Sequence, residues 1–375
     1  MCLNNNISLQ NQTRIQASRN VLYNIYFYPI SSTNQWYLCV CGDDGVFLYK
    51  WVVIYGLIQK QHTSTLNRKE SNTMPIVELK PFCRYLAVPP SNYDPFPSSY
   101  NIHSSASEIE VNSTSIDATQ NILFGAAGDV MGSCYQWDIE TGKVRGILST
   151  NNSKTSSTIC LSKGHTDFLH SVSVVPGGEG HVVTGGEDGN IGLWDAKQNK
   201  LIDMIHCGDF LVPRKSSSSR NNMRLGKQTG WVSGIHVEED GGMAAFCGGL
   251  ENSSGSSSME GSNTNGGFVA LWHLPTRSIL ASHKTREEVQ SIHFHPSWDS
   301  LITVANENVV SFWSWSLQSR QERVWCSSHS CFGLAVNQCQ TSSSAGNGML
   351  AVCGASNIVD CYSSMGNRCF GLSFR

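Results

Sequence analysis

Residues Gly164–Asp195 read GHTDFLHSVSVVPGGEGHVVTGGEDGNIGLWD, and this stretch decides the fold. It opens on a Gly-His pair and closes on a Trp-Asp pair, at the spacing of one four-stranded sequence repeat. Between them lie two valine-rich runs, Val172–Val175 and His181–Thr184, each bounded by Gly-rich turn sequence. That pattern predicts short strands of an all-β protein. Asp188-Gly189 joins two of the strands, and Gly189 can take the positive φ that a tight turn needs. One such unit cannot bury both of its faces, so it implies siblings stacked beside it.

Thr184 lies four residues before Asp188, and Trp194 six residues after it. With His165 these positions match the WD40 repeat. The resemblance implies a hydrogen-bonded chain from turn to core: Asp188 carboxylate, His165 imidazole, Thr184 hydroxyl, Trp194 indole N–H. A chain of this kind fixes strand register, because each buried polar group left unpaired costs about 1–3 kcal/mol. His, Thr and Asp could also spell a catalytic triad. The structural reading is preferred because a Trp stands where the fourth member is due.

The chain has 375 residues, 40% of them hydrophobic and only 15% charged. Ser/Gly/Asn loops between short strands account for a charge content below the usual level of about 25%. A net charge of -3 gives no global attraction to nucleic acid or anionic membrane. There are fourteen cysteines. Met1–Asn20 is polar, with no apolar core of a secretory signal. Cys39, Cys41, Cys247, Cys353 and Cys361 lie in strand-like runs, where a thiol is a small hydrophobe. They read as reduced core residues of a cytosolic or nuclear protein. Cys39-Val40-Cys41 lacks a second Cys/His pair at zinc-binding spacing. No apolar run approaches the roughly 20 residues of a membrane span.

Six repeat units are recognisable, and the fold class is an all-β WD40 propeller. The units are Val21–Trp51, Asn121–Leu148, the Trp194 unit extended through Leu201–His206, Gly230–Ser282, Val289–Leu317 and Phe332–Phe374. Their blade-end markers are Trp137-Asp138, Trp194-Asp195, Trp272 (followed by His) and Trp313. WD40 rings usually have seven blades. Either a seventh is hidden in 59–115, or the N-terminus is shorter than that of its relatives. The second account is preferred, since Met1–Asn20 has almost no strand pattern. Residues 1–20 read as a disordered segment and 21–375 as the propeller. Loop insertions are expected near 59–115, 213–227, 250–267 and 341–348, where too little apolar area exists to offset the entropy of ordering.

The strongest unit, with ILFGAAGDVMGSCYQWDIETGK at Ile122–Lys143 before it and ALWHL at Ala270–Leu274 after it, resembles the THO complex subunit 6 family of WD40 proteins. The terminal Leu372-Ser373-Phe374 is also similar. Val21–Trp51 resembles the second blade of that family, so the first blade is expected to be absent. The resemblance implies a nuclear, non-enzymatic scaffold in messenger-RNA processing and export. Its implied partners are other THO subunits, with no cofactor, small-molecule substrate or membrane.

No phosphate loop, His-Glu-x-x-His or Gly-x-Ser-x-Gly motif occurs. His293 and His295 share a strand face as a ligand pair would, but His295-Pro296 reads better as a strand-ending turn. The acid-free basic run Arg214, Lys215, Arg220, Arg224 and Lys227 is the one candidate RNA-phosphate contact; its plain reading is a solvated loop. The alternative function is a substrate receptor of a cullin-4-type ubiquitin ligase, whose blades end in Trp-Asp-x-Arg. Here Glu140 and Lys197 stand at the fourth place, and Lys lacks the bidentate guanidinium fork.

Overall fold

The computed structural model describes residues 14–16, 22–30, 35–43, 45–54, 56, 76–78, 81, 83–87, 109–129, 131–149, 164–177, 179–211, 229–251, 266–295, 299–317, 320–337, 349–356, 358–363 and 365–373. These form six antiparallel four-stranded blades in a ring, a β-propeller. Blade 1 comprises Leu22–Ile30, Gln35–Gly42, Gly45–Lys50 and Cys83–Tyr85; blade 2, Val111–Asp117, Ile122–Ala127, Cys134–Asp138 and Val144–Leu148. Blade 3 comprises Leu169–Val174, His181–Gly186, Asn190–Asp195 and Lys200–His206; blade 4, Gly230–Val237, Met243–Leu250, Gly267–His273 and Ser278–Thr285. Blade 5 comprises Val289–Phe294, Ser300–Ala305, Val309–Ser314 and Arg320–Trp325; blade 6, Cys331–Asn337, Met349–Gly354, Ile358–Ser363 and Arg368–Ser373.

The stretch 59–115 does not hold a separate blade among the described residues. It contributes the fourth strand of blade 1 and the first strand of blade 2. It also contains Ile76–Glu78, which pairs in parallel with Arg14–Gln16. Those last three residues are therefore a strand within the segment expected to be disordered. The interiors of 213–227, 250–267 and 341–348 lie outside the described residues, though Leu250 and Gly267 themselves close and open strands of blade 4. A short helix, Cys207–Leu211, follows blade 3.

Turn chemistry sets the strand ends. Gly189 has φ +68°, and a Cβ there would lie 2.4 Å from the Gly230 carbonyl oxygen, so this turn accepts only glycine. Between blades, alternating side chains of facing sheets interdigitate into apolar layers. Leu123 and Trp137 pack on Tyr37 and Leu48 of blade 1, and Trp194 packs on Phe124 of blade 2. Trp272 packs on Val183 and Ile191 of blade 3. Trp313 meets Val269 and Leu271 of blade 4, and Tyr362 meets Ile302 and Phe312 of blade 5. The other face of blade 1 (Leu38, Val40, Phe47, Tyr49) is buried with Ile54. Among the described residues no such layer joins blade 6 to blade 1.

The first strands of successive blades touch one another and carry an inner collar of cross-blade hydrogen bonds. Tyr28 Oη donates to the Thr114 carbonyl at 2.7 Å, and Ser115 Oγ accepts from Val174 N at 3.1 Å. Ser171 Oγ accepts from Ile235 N at 3.0 Å, and Ser233 Oγ donates to the Val289 carbonyl at 2.5 Å. Each first strand also has a register shift near its start. A bulge of this kind re-aims a side chain. Asn112, at the bulge of blade 2, donates to the Leu169 carbonyl of blade 3 at 2.8 Å.

Candidate functional site

In blade 3, His165, Thr184, Asp188 and Trp194 are brought together. Trp194 Nε1 donates to Thr184 Oγ1 at 2.7 Å. Thr184 Oγ1 lies 2.8 Å from His165 Nε2, and His165 Nδ1 lies 3.0 Å from Asp188 Oδ1. With the imidazole proton on Nδ1, each donor meets one acceptor along the chain. Asp188 also accepts from Thr166 N at 2.9 Å and from the Asn190 side chain at 2.8 Å. Burial would push its carboxyl up, but the hydrogen bonds led by His165 prevail and hold it below the usual carboxylate range. Three of its members are buried: His165 is 1% exposed, Thr184 0% and Trp194 2%. Its polar groups bond to one another and pin a turn, a loop and a core.

The corresponding positions differ from blade to blade. Thr184 pairs with Gly192, two residues before Trp194. A Cβ on Gly192 would lie 2.7 Å from Trp194 Nε1, 3.1 Å from Thr184 Oγ1 and 3.2 Å from His165 Nε2. Blade 5 keeps half of the relay: Thr303 pairs with Ser311, and Trp313 Nε1 donates to Thr303 Oγ1 at 2.9 Å. Blade 2 has Gly125 opposite Tyr135; Tyr135 stacks on Trp137, whose Nε1 reaches the Leu86 carbonyl at 3.1 Å. Blade 4 has Phe246 opposite Ala270, and the buried Trp272 Nε1 has no hydrogen-bond partner among the described residues. Blade 6 has Val352 opposite Asp360.

The residue after each Trp closes the next turn. Asp138 accepts from Thr141 N at 2.9 Å and pairs with Arg145. Chiefly through the Thr141 amide, its carboxyl is lowered to about 2. Asp195 accepts from Gln198 N at 3.0 Å. In blade 4, His273 makes the same three-residue reach, with Nδ1 2.7 Å from Thr276 Oγ1. The Trp-Asp and Trp-His endings are thus alternative solutions to one turn.

His293 stands against His236 of blade 4, with ring centroids 4.3 Å apart. Burial lowers His236 to about 4 and, with His236 nearby, holds His293 well below its ordinary value. Both are therefore neutral at pH 7. Among the described residues no group of three or more His, Cys, Asp or Glu could hold a metal ion, and no helix is long and apolar enough to cross a membrane. Arg214, Lys215, Arg220, Arg224 and Lys227 lie outside the described residues.

Two features escaped the sequence reading. In blade 6, Asp360 accepts from Ser327 N and from Arg368 Nη2, at 2.5 and 2.6 Å. Only the register, which sets Asp360 where blade 3 has Gly192, makes that clasp visible. Exposed large apolar residues also gather on blades 1 and 6, including Ile25, Trp36, Phe332 and Phe370. Such residues are the common anchors of protein interfaces.

No model of a known protein family matches the chain. The chain is similar to THO complex subunit 6 of Arabidopsis thaliana, at 25% identity over 356 residues, covering 94% of this chain and 74% of that protein. It is similar to the THO complex subunit 6 homolog of Danio rerio, at 26% identity over 71% of this chain and 66% of that protein. It is also similar to THO complex subunit 6 of Homo sapiens, at 24% identity over 71% of this chain and 63% of that protein. The matches thus span under two thirds of the fish and human proteins.

Proposed function

We propose that this chain is a non-enzymatic scaffold subunit of the THO complex, working in the nucleus in co-transcriptional messenger-RNA processing and export. The observation that carries this reading is the likeness, along 94% of the chain, to a plant protein named THO complex subunit 6, repeated for the fish and human proteins. The fold is in keeping with it. The polar groups of the blade 3 relay are engaged with one another inside the blade, and the rims and blade edges are where partners would dock. The partners are other THO subunits, and RNA is reached through them. The basic run Arg214–Lys227 offers charge without aromatic platforms, so any phosphate contact it makes is blind to sequence.

Affinity purification of the tagged full chain from nuclear extract, followed by mass spectrometry, tests the proposal. Recovery of the THO subunits in stoichiometric amounts is expected. Recovery of a cullin-4 adaptor without THO subunits would replace this reading with the ligase one.

A further inference from the structure

Blade 6 presents two sheet faces, and its register sorts the side chains between them. Leu350 pairs with Tyr362, and Val352 with Asp360. Leu350, Val352 and Tyr362 turn toward blade 5 and are buried with Ile302 and Phe312. The alternate row crosses all four strands through Ala335, Ala351, Cys361 and Phe370, so it lies on the opposite face. Met349 and Cys353 stand two residues to either side of Ala351 on the same strand and share that face with it.

Blade 5 shows what becomes of such a face elsewhere in the ring. Its Ile302, Val304, Val310 and Phe312 are between 0% and 3% exposed, because blade 6 covers them. On blade 6 the equivalent face is open. Phe370 is 47% exposed and Met349 36%; Ala335 and Cys353 are exposed, Ala351 is half-buried, and Cys361 is buried. Exposed apolar surface of this kind marks an interaction site.

Two properties of the face select its occupant. It is uncharged: the four strands of blade 6 carry two charged residues, Asp360 and Arg368, and these bond to each other on the rows that face blade 5. A neutral face meets its own copy without the like-charge repulsion that suppresses wrong partners. The face is also stepped. Ala335, Ala351 and Cys361 form a low floor, flanked by Phe370 on the outer strand and by Met349 at one end. Across a two-fold axis, Phe370 of each copy comes to rest on the low floor of the other. That reciprocity is what a closed two-fold pair requires. Sheet-on-sheet packing then gives this face an apolar layer like those between the other blades.

We propose that the chain pairs with a second copy of itself through the open face of blade 6, with Phe370 as the anchor of each half. Sedimentation velocity of the full-length chain over a range of concentrations tests this. A reversible monomer–dimer equilibrium is expected, and Phe370→Glu should raise its dissociation constant about tenfold or more, since a charge would be buried unpaired. A second measurement needs no variant: alkylation of the exposed Cys353 in the wild-type chain should slow as concentration rises, because the partner covers it. A chain that stays monomeric at every concentration would overturn the proposal and leave the face to a different polypeptide. A dimer indifferent to Phe370→Glu, or a Cys353 alkylation rate independent of concentration, would overturn it equally. Should Phe370→Glu fail to fold, the Cys353 measurement decides alone.

Discussion

Blades 3 and 4 are adjacent, share a strand pattern and each bury a Trp at the same place, yet they hold it by different means. Trp194 ends a polar relay through Thr184 and His165 to Asp188. Trp272 has Phe246 where Thr184 would be, and its N–H is buried without a partner among the described residues. In exchange, Phe246, Phe268 and Phe210 pack edge to face at 5.6–6.3 Å, with Phe210 supplied by the short helix Cys207–Leu211. Such pairs add about 0.5–1.5 kcal/mol beyond area burial, comparable with one net hydrogen bond. One blade relies on directional polar contacts and the other on apolar area. The backbone register is the same in both.

That contrast can be broken most forcefully in blade 4. Phe246→Ala should cost about 3–5 kcal/mol in chemical denaturation, since it empties the aromatic cluster that replaces the relay. Gly192→Ala should cost about 1–3 kcal/mol, because its methyl would push into Trp194, Thr184 and His165; a cost near zero would mean that the relay is looser than its distances state. The histidine pair at the blade 4–5 boundary adds a pH dependence. In the folded state His236 titrates near 4, whereas an unfolded histidine titrates near 6.5. Between those values only the unfolded chain gains the proton, so stability falls as pH drops from about 6.5 to about 4, by up to about 1.4 kcal/mol per pH unit for this group. His236→Phe should flatten that slope in acid titrations followed by fluorescence. The smallest effect is expected for Trp272→Phe, below about 1 kcal/mol, because the change removes an unpaired buried donor along with some volume.

Legibility from sequence followed the same division. The relay of blade 3 could be written down because four residues, His165, Thr184, Asp188 and Trp194, match positions of the WD40 repeat, and that resemblance implies the chain. The Trp-Asp endings were equally plain. The aromatic substitute in blade 4 was not, since Phe246 and Phe210 look like any core residues until register and helix bring them together. The fourth strand of blade 1, Cys83–Tyr85, is three residues long in a Pro-rich region, too short to show alternation. Val111–Asp117 reads VNSTSID, polar enough to pass for a loop. Its serines and threonine are there to bond neighbouring blades, as Ser115 does with Val174. The partner of Asp360 could not be read either, since Ser327 is distant in the chain.

The central claim is that blade 3 is held by a relay acting as one unit. A double-mutant cycle of Thr184→Val and Trp194→Phe in equilibrium unfolding measures it directly. The account predicts a coupling energy of about 1 kcal/mol or more, each single change disabling the contact that the other would remove. Strictly additive losses, with no coupling, would contradict it.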